Sequence, residues 1–333
     1  MLKVGIAGLG GMGRVHAARY AQLPDVQVVA VADIDPERLE ASSSITINLG
    51  DTGKQLDFDQ VQRYPDAATL IREAPVDVVD ICLPSDLHAE TACQAMEAGH
   101  HVLCEKPMAL NVEDADRMIA VAQETGRLLM IAQVLRFWPE YEALRAMIEE
   151  GTYGALRSLN MWRMGGRPGW SPDNWFLDPS RSGGAILDLH IHDVDWVQAT
   201  LGWPDDLWVS ARQTAVAKTY DVIHALFSYR DGPQVHMHAG WASAQIPFVA
   251  GYEAWFDRAF VRFASGELQV FADPERVAPQ PLAYESGDGY LNEIAYFLDC
   301  VAHDRPPMRC MPESTRDSIA LIEAELAFVA KFG

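Results

Sequence analysis

The chain has 333 residues, 49% of them hydrophobic and 22% charged, which is ordinary globular composition for a length that favours two domains over one core. With 26 basic against 47 acidic residues, its formal charge of −21 argues against a nucleic-acid partner and against an anionic membrane surface. The five cysteines (Cys82, Cys93, Cys104, Cys300 and Cys310) are scattered, with no C-x-x-C pair, as expected of free thiols in a reducing cytoplasm. No apolar run reaches the length of a membrane span, and no signal-peptide layout precedes the first structural motif.

In chain order, "LKVGIAGLG" reads as a buried strand ending in glycines, followed by the helical "GRVHAARYAQL" and a second β-branched run, "VQVVAVADID". Residues 51–63 are polar and irregular, which suggests a surface excursion. "VDVVDICLP" is the next strand, then the helix "HAETACQAMEAG" and the strand "HHVLCEKP". A helix from an Asn111 cap to Gly126 follows, and then the strand "LLMIAQ". Alternation of this kind, with strands apolar on both faces, predicts a parallel sheet covered on both sides. The second half changes character. "YDVIHALFSYR", "QVHMHAGWA", "GYEAWF", "RAFVRFA" and "GELQVFA" are strand-like, joined by turn signals, and predict an antiparallel meander. "GYLNEIAYFLDCVAHD" and "PESTRDSIALIEAELAFVAKFG" close the chain as helices.

Three clusters carry chemistry. Gly8, Gly10 and Gly13, with Gly11 and Met12 between them, form G-x-G-x-x-G between a strand and a helix, and Asp33 ends the next strand. In that context the pattern predicts a dinucleotide whose pyrophosphate sits at the helix N-terminus and whose adenosine ribose meets Asp33. Leu83, Pro84, Ser85 and His88 end a later strand at the same edge and are candidates to line the dinucleotide path; the lesser alternative for His88 is a surface residue of a strand–turn–helix cap. Glu105 and Lys106 end the strand after that, where they stand over the reacting end of a dinucleotide or form a surface ion pair.

The third cluster is "SRSGGAILDLHIHDVDWV". Asp188 and His192 are four apart and share a helix face, pairing an acid with a residue type that titrates near neutrality. His190 and His192 diverge by about 200° on a helix, so the D-x-H-x-H string is not read as a metal site.

Together these residues resemble the glucose–fructose oxidoreductase/inositol dehydrogenase/rhizopine catabolism family (Gfo/Idh/MocA). The resemblance covers nearly the whole chain: Gly8 to Gly13, Asp33, Pro84 with His88, Glu105-Lys106-Pro107, Arg136-Phe137 with Pro139, the Gly151–Gly154 turn, and Gly183-Gly184 with Asp188 and His192. It departs at Ser182, where the usual run has a third glycine, and at His190, where glycine is common. The resemblance implies an α/β fold. A Rossmann doubly wound parallel sheet (1–122) precedes an α+β domain with a large, mostly antiparallel open sheet (123–333) that binds substrate and mediates oligomerisation. It implies NAD(P), a sugar, inositol or related polyol substrate, Lys106 as the catalytic lysine and Asp188 with His192 as its partners. Arg136, Trp162, Arg163, Asn174 and Trp175 are the next candidates for substrate contacts.

The mechanism expected is hydride transfer from a CH–OH carbon, with His192 taking the hydroxyl proton and Lys106 stabilising the oxygen. NAD is expected over NADP, because Asp33, Ile34 and Asp35 offer a 2′-phosphate two carboxylates, and Glu37 weakens the field of Arg38. A homodimer or homotetramer through about residues 220–272 is expected, since the sheet outnumbers the helices available to cover it. His236 and His238 fall on one face of its strand, Val235 and Met237 on the other. Two alternatives stay open: a dinucleotide-binding regulator without turnover, and an enzyme that uses bound NAD transiently in elimination or hydrolysis.

Overall fold

A computed structural model describes residues 1–40, 60–169 and 172–332. These fall into two compact units, the first built mainly from Met1–Val134 with Asp288–Ile319, the second from Leu135–Gly169, Asp173–Gly287 and Ala320–Gly333. The boundary expected at residue 122 therefore lies inside a helix of the first unit, whose sheet continues for one more strand.

The first unit is a six-stranded parallel sheet in the order β3-β2-β1-β4-β5-β6, from β1 (Leu2–Ala7), β2 (Val26–Ala32), β3 (Gln62–Tyr64), β4 (Val78–Ile81), β5 (His101–Glu105) and β6 (Leu129–Ala132). Its helices are α1 (Gly11–Tyr20), α2 (Ala67–Glu73), α3 (His88–Glu97) and α4 (Val112–Thr125). Strands β4 and β6 are buried at every position, as parallel strands covered on both faces must be. α4 starts where Asn111 accepts the Asp114 N–H at 2.8 Å and stops at left-handed Gly126, as its sequence signals. The expected excursion at 51–63 proves in its last residues to be β3, an edge strand beside β2; residues 51–59 lie outside the described part. Strand order turns back on itself beside β1, so the carboxyl ends of β1, β4 and β5 face the crevice where open α/β sheets bind ligands.

The second unit contains α5 (Pro139–Glu150), β7 (Leu156–Gly166), α6 (Pro179–Ser182), α7 (Ile191–Leu201), β8 (Asp206–Arg212), β9 (Val222–Ser228), β10 (Gln234–Ala242), β11 (Val249–Phe256), β12 (Phe260–Ala264) and β13 (Glu267–Phe271). These strands form a seven-stranded sheet in the order β13-β12-β11-β7-β10-β9-β8. The expected meander is thus interrupted. β7, the first of these strands in sequence, inserts between β10 and β11, parallel to β10 and antiparallel to β11. Alternation sorts the sheet into two faces. One packs on α5 and α7, where Tyr141 meets Trp196 and Tyr252 edge-on and Tyr252 donates to Glu140 O at 2.6 Å. The other carries exposed Trp208 and Trp255 and part-exposed Trp162.

The closing helices are α8 (Gly289–Ala302), which packs on α1 in the first unit, and α9 (Pro312–Phe332), whose residues are divided between the two units. No helix among the described residues is long and apolar enough to cross a membrane.

Candidate active site

The glycine turn is fixed by contacts that leave no room for side chains. Gly8 has φ +99°, and a Cβ there would lie 2.5 Å from Cys82 O; a Cβ on Gly13 would lie 1.9 Å from Gly8 O. Gly10 differs: a Cβ there would meet nothing nearer than Arg38 Nη1 at 3.9 Å, so packing within the protein does not require its glycine. Its bare flank is the side a ligand backbone would approach. Gly10 also caps α1 without a side-chain hydrogen bond, which leaves first-turn N–H groups for an anion. This cradle fits a dinucleotide pyrophosphate.

Asp33 closes the turn. Its carboxylate accepts from Leu9 N at 2.8 Å and Asp35 N at 2.9 Å. Arg38 crosses it, with Nη1 3.6 Å from Asp33 and Nε 3.5 Å from Asp35. Arg14 donates to Arg38 O at 2.8 Å, and burial together with the Arg38 charge lowers its proton affinity.

At the end of β4, part-exposed Leu83 and Pro84 and buried Ser85 form the turn into α3. His88 departs from expectation. It is neither a surface residue nor free to line a path: its ring lies buried between Pro107 O at 2.7 Å and Leu83 O at 2.9 Å. Burial lowers its proton affinity. His88 bridges the β4 turn and the β5 turn.

Glu105 is buried at the end of β5, and Lys106 beside it is half-exposed. Glu105 Oε1 lies 3.0 Å from His16 Nε2, and its Oε2 accepts the backbone N–H of Lys106 at 3.1 Å. Burial pushes the Glu105 carboxyl up, but His16 and then Lys106 outweigh it and hold it below its ordinary range. His16 Nδ1 in turn meets Asp80 at 2.8 Å. Sequence reading passed over His16 and Asp80. The available signal was an acid inside "VDVVDICLP", a strand otherwise apolar on both faces. His16, Asp80 and Cys82 also place one donor atom each within 4.8 Å of one another, but at 2.8 Å the ring nitrogen and the carboxylate form a hydrogen bond rather than flank an ion.

In the second unit, Asp188 lies in one π-helical turn, Ile186–His190, that leads directly into α7. Of the residues from Gly184 to Gln198, only Asp188 and His192 are part-exposed; the others are buried. The acid and the histidine therefore share the accessible face, as their spacing predicts, on a wide turn of a kind that recurs at functional sites and that spacing alone does not reveal. His190 points the other way, its Nε2 3.1 Å from Glu325, which outweighs burial and raises its proton affinity.

Three expected substrate contacts are placed otherwise. Arg136 makes a buried bidentate pair with Asp195 at 2.7 and 2.8 Å, and Arg163 makes another with Asp193 at 2.9 and 3.3 Å. Both guanidiniums serve α7 from beneath. Trp162, next to Arg163 on β7, faces the opposite side of the sheet, among His224, His236, His238 and Trp208. Strand alternation separates it from the helix that carries Asp188 and His192. Trp175 is half-buried and stacks on Phe176 at 3.9 Å, beside Asp173 and Asn174, both in left-handed conformation.

Comparison with known proteins is consistent across the chain. The model of the oxidoreductase family with an NAD-binding Rossmann fold, GFO/IDH/MocA, matches residues 2–133, and that of the GFO/IDH/MocA C-terminal domain matches residues 141–254. The chain is 31% identical over 296 residues to inositol 2-dehydrogenase of Rhizobium meliloti (87% of this chain, 80% of the relative). It is 27% identical over 328 residues to myo-inositol 2-dehydrogenase of Thermotoga maritima (92% and 90%). Among solved structures, UDP-N-acetylglucosamine 3-dehydrogenase of Acidithiobacillus ferrooxidans superposes with a TM-score of 0.78 at 26% identity, over 99% of this chain and 98% of that one.

Proposed function

The chain belongs to the GFO/IDH/MocA family of oxidoreductases, and from that premise we propose that it transfers hydride between NAD(H) and a CH–OH carbon of a sugar, inositol or related polyol. The observation that carries this reading is the bare flank of Gly10 above an uncapped helix start, in a chain whose relatives are named inositol and sugar dehydrogenases. Bound at that turn, the cofactor supplies the hydride acceptor or donor. Gly8, Gly10, Gly11, Met12 and Gly13 form the cradle, Asp33 accepts from the adenosine ribose, and Leu83, Pro84 and Ser85 border the path toward Glu105 and Lys106. Lys106 donates to the substrate oxygen and stabilises its developing charge. His192 takes the hydroxyl proton in oxidation and returns it in reduction, and Asp188 orients His192 or holds the substrate. Production of NADH from NAD with a panel of inositols, aldoses and polyols tests the reading; binding of NADH without turnover on any of them would favour the regulator.

We further propose that NAD(H) is preferred over NADP(H). The two carboxylates that meet Arg38 occupy its charge, and Glu37 adds a third negative group, so little positive field remains for a 2′-phosphate. The expected preference is at least about tenfold, about 1.4 kcal/mol. Fluorescence titration with NADH and NADPH decides it, and equal or tighter NADPH binding would remove Asp33 from the ribose.

The open face of the second sheet is proposed to be covered by another copy of the chain. Trp208 and Trp255 are about half exposed on this face, beside part-exposed Trp162, and exposed large aromatics of this kind suit a protein interface. Light scattering at micromolar concentration should give a dimer or tetramer; a monomer would defeat the proposal.

A further inference from the structure

We propose that His16 is a positioning residue for Lys106: the buried chain Asp80–His16–Glu105 fixes the backbone from which the lysine projects, and anchors it to the helix that opens at the dinucleotide turn. The proposal rests on the reading of Lys106 as the catalytic lysine.

Geometry carries the argument. His16 is fully buried on α1, three residues after Gly13. One ring nitrogen is hydrogen-bonded to Asp80 on β4 at 2.8 Å; the other lies 3.0 Å from Glu105 on β5, an ion-pair contact without hydrogen-bond geometry. The remaining oxygen of Glu105 accepts the N–H of Lys106 at 3.1 Å. Each link therefore uses a different atom: hydrogen bonds join His16 to Asp80 and Glu105 to the main chain of Lys106, and a 3.0 Å ion-pair contact joins His16 to Glu105.

Charge is consistent with it. Burial works against an imidazolium at His16, but Asp80 and Cys82 outweigh burial and raise its proton affinity well above the ordinary value. A doubly protonated ring carries the positive charge that attracts the carboxylates on both sides. A second acid on α8, Glu293, is fully buried with no hydrogen bond at either carboxylate oxygen. Burial first, and the Glu105 charge second, push its carboxyl well above the ordinary range.

A purely stabilising role is the weaker account. Burying ionised groups carries a desolvation penalty, and packed apolar residues of similar volume often stabilise as well or better. Here the charged groups converge on the main chain of one functional residue. Held at both ends, Glu105 cannot rotate away from Lys106 N without breaking the His16 contact. Displacement of a reacting group by about 1 Å lowers turnover by up to about a hundredfold.

The test separates the two ring nitrogens. In His16→Asn the side-chain amide replaces the nitrogen facing Asp80 and loses Glu105; in His16→Gln it replaces the nitrogen facing Glu105. Amide hydrogen exchange at Lys106 is the readout that needs no substrate, and kcat on the best polyol of the panel is the second. In His16→Asn, exchange at Lys106 should rise about tenfold or more and kcat should fall ten- to a hundredfold, with NADH affinity within about threefold of the parent. His16→Gln should retain both. In a Lys106→Ala background, His16→Asn should bring no further loss of kcat. Unchanged Lys106 exchange in His16→Asn, equal damage from both variants, or an additive loss in the Lys106→Ala background would each overturn the role of His16. Retained turnover in Lys106→Ala alone would instead overturn the reading of the lysine, while the exchange result would still report on the anchor.

Discussion

Lys106→Ala and His192→Ala are expected to lower turnover by about two to three orders of magnitude each, the usual worth of a general base or of a donor to a developing oxyanion. The two should differ in binding. His192 belongs to the second unit and the glycine turn to the first, so His192→Ala should leave NADH affinity nearly unchanged. Steady-state kinetics on the best substrate of the panel, with NADH titration alongside, check both claims. Near-full activity in His192→Ala would remove it as the proton acceptor and leave Asp188 as the nearest titratable candidate on that helical face.

Asp195→Ala is expected to destabilise the protein by about 3–5 kcal/mol, the usual loss when one partner of a buried ion pair is removed. The pair is among the most enclosed here: its side chains are 4% and 1% exposed, and both bonds are shorter than 3 Å. Replacing both partners together, as in Arg136→Met with Asp195→Leu, should recover most of that stability, because no charge is then left uncompensated. Urea denaturation measures both variants. A loss below about 1 kcal/mol in Asp195→Ala would mean that Arg136 tolerates separation from Asp195, and would return it to the candidates for substrate contact.

What could be read from sequence follows the range of the physics. G-x-G-x-x-G and Asp33 are local: each glycine answers a steric demand within one turn, and the acid lies at the end of the neighbouring strand. Asp188 and His192 were legible through helical spacing, and their common accessible face follows from it. The misplacements are all matters of tertiary partnership. Arg136 and Arg163 look like free cations until Asp195 and Asp193 are brought beneath them from residues 59 and 30 positions away. His88 was ambiguous because its acceptors are main-chain carbonyls, which leave no trace in side-chain patterns. β7 was missed for a similar reason, since its place between β10 and β11 is set by non-local pairing rather than by turn signals. The π-turn leaves the spacing of Asp188 and His192 legible while widening the helix between them.

The return of α8 to the first unit has a consequence for biosynthesis. Glu293 and the rest of that helix complete the packing on α1, yet they are translated after the whole of the second sheet. The dinucleotide unit therefore cannot close its interior as it leaves the ribosome; the face of α1 that receives α8 waits for more than half of the chain to follow. A nascent chain stalled before residue 288 exposes that face to chaperones and proteases. Loss of the chain from residue 288 onward, by a premature stop or by cleavage, should accordingly be felt in the N-terminal fold although the cut lies far from it in sequence.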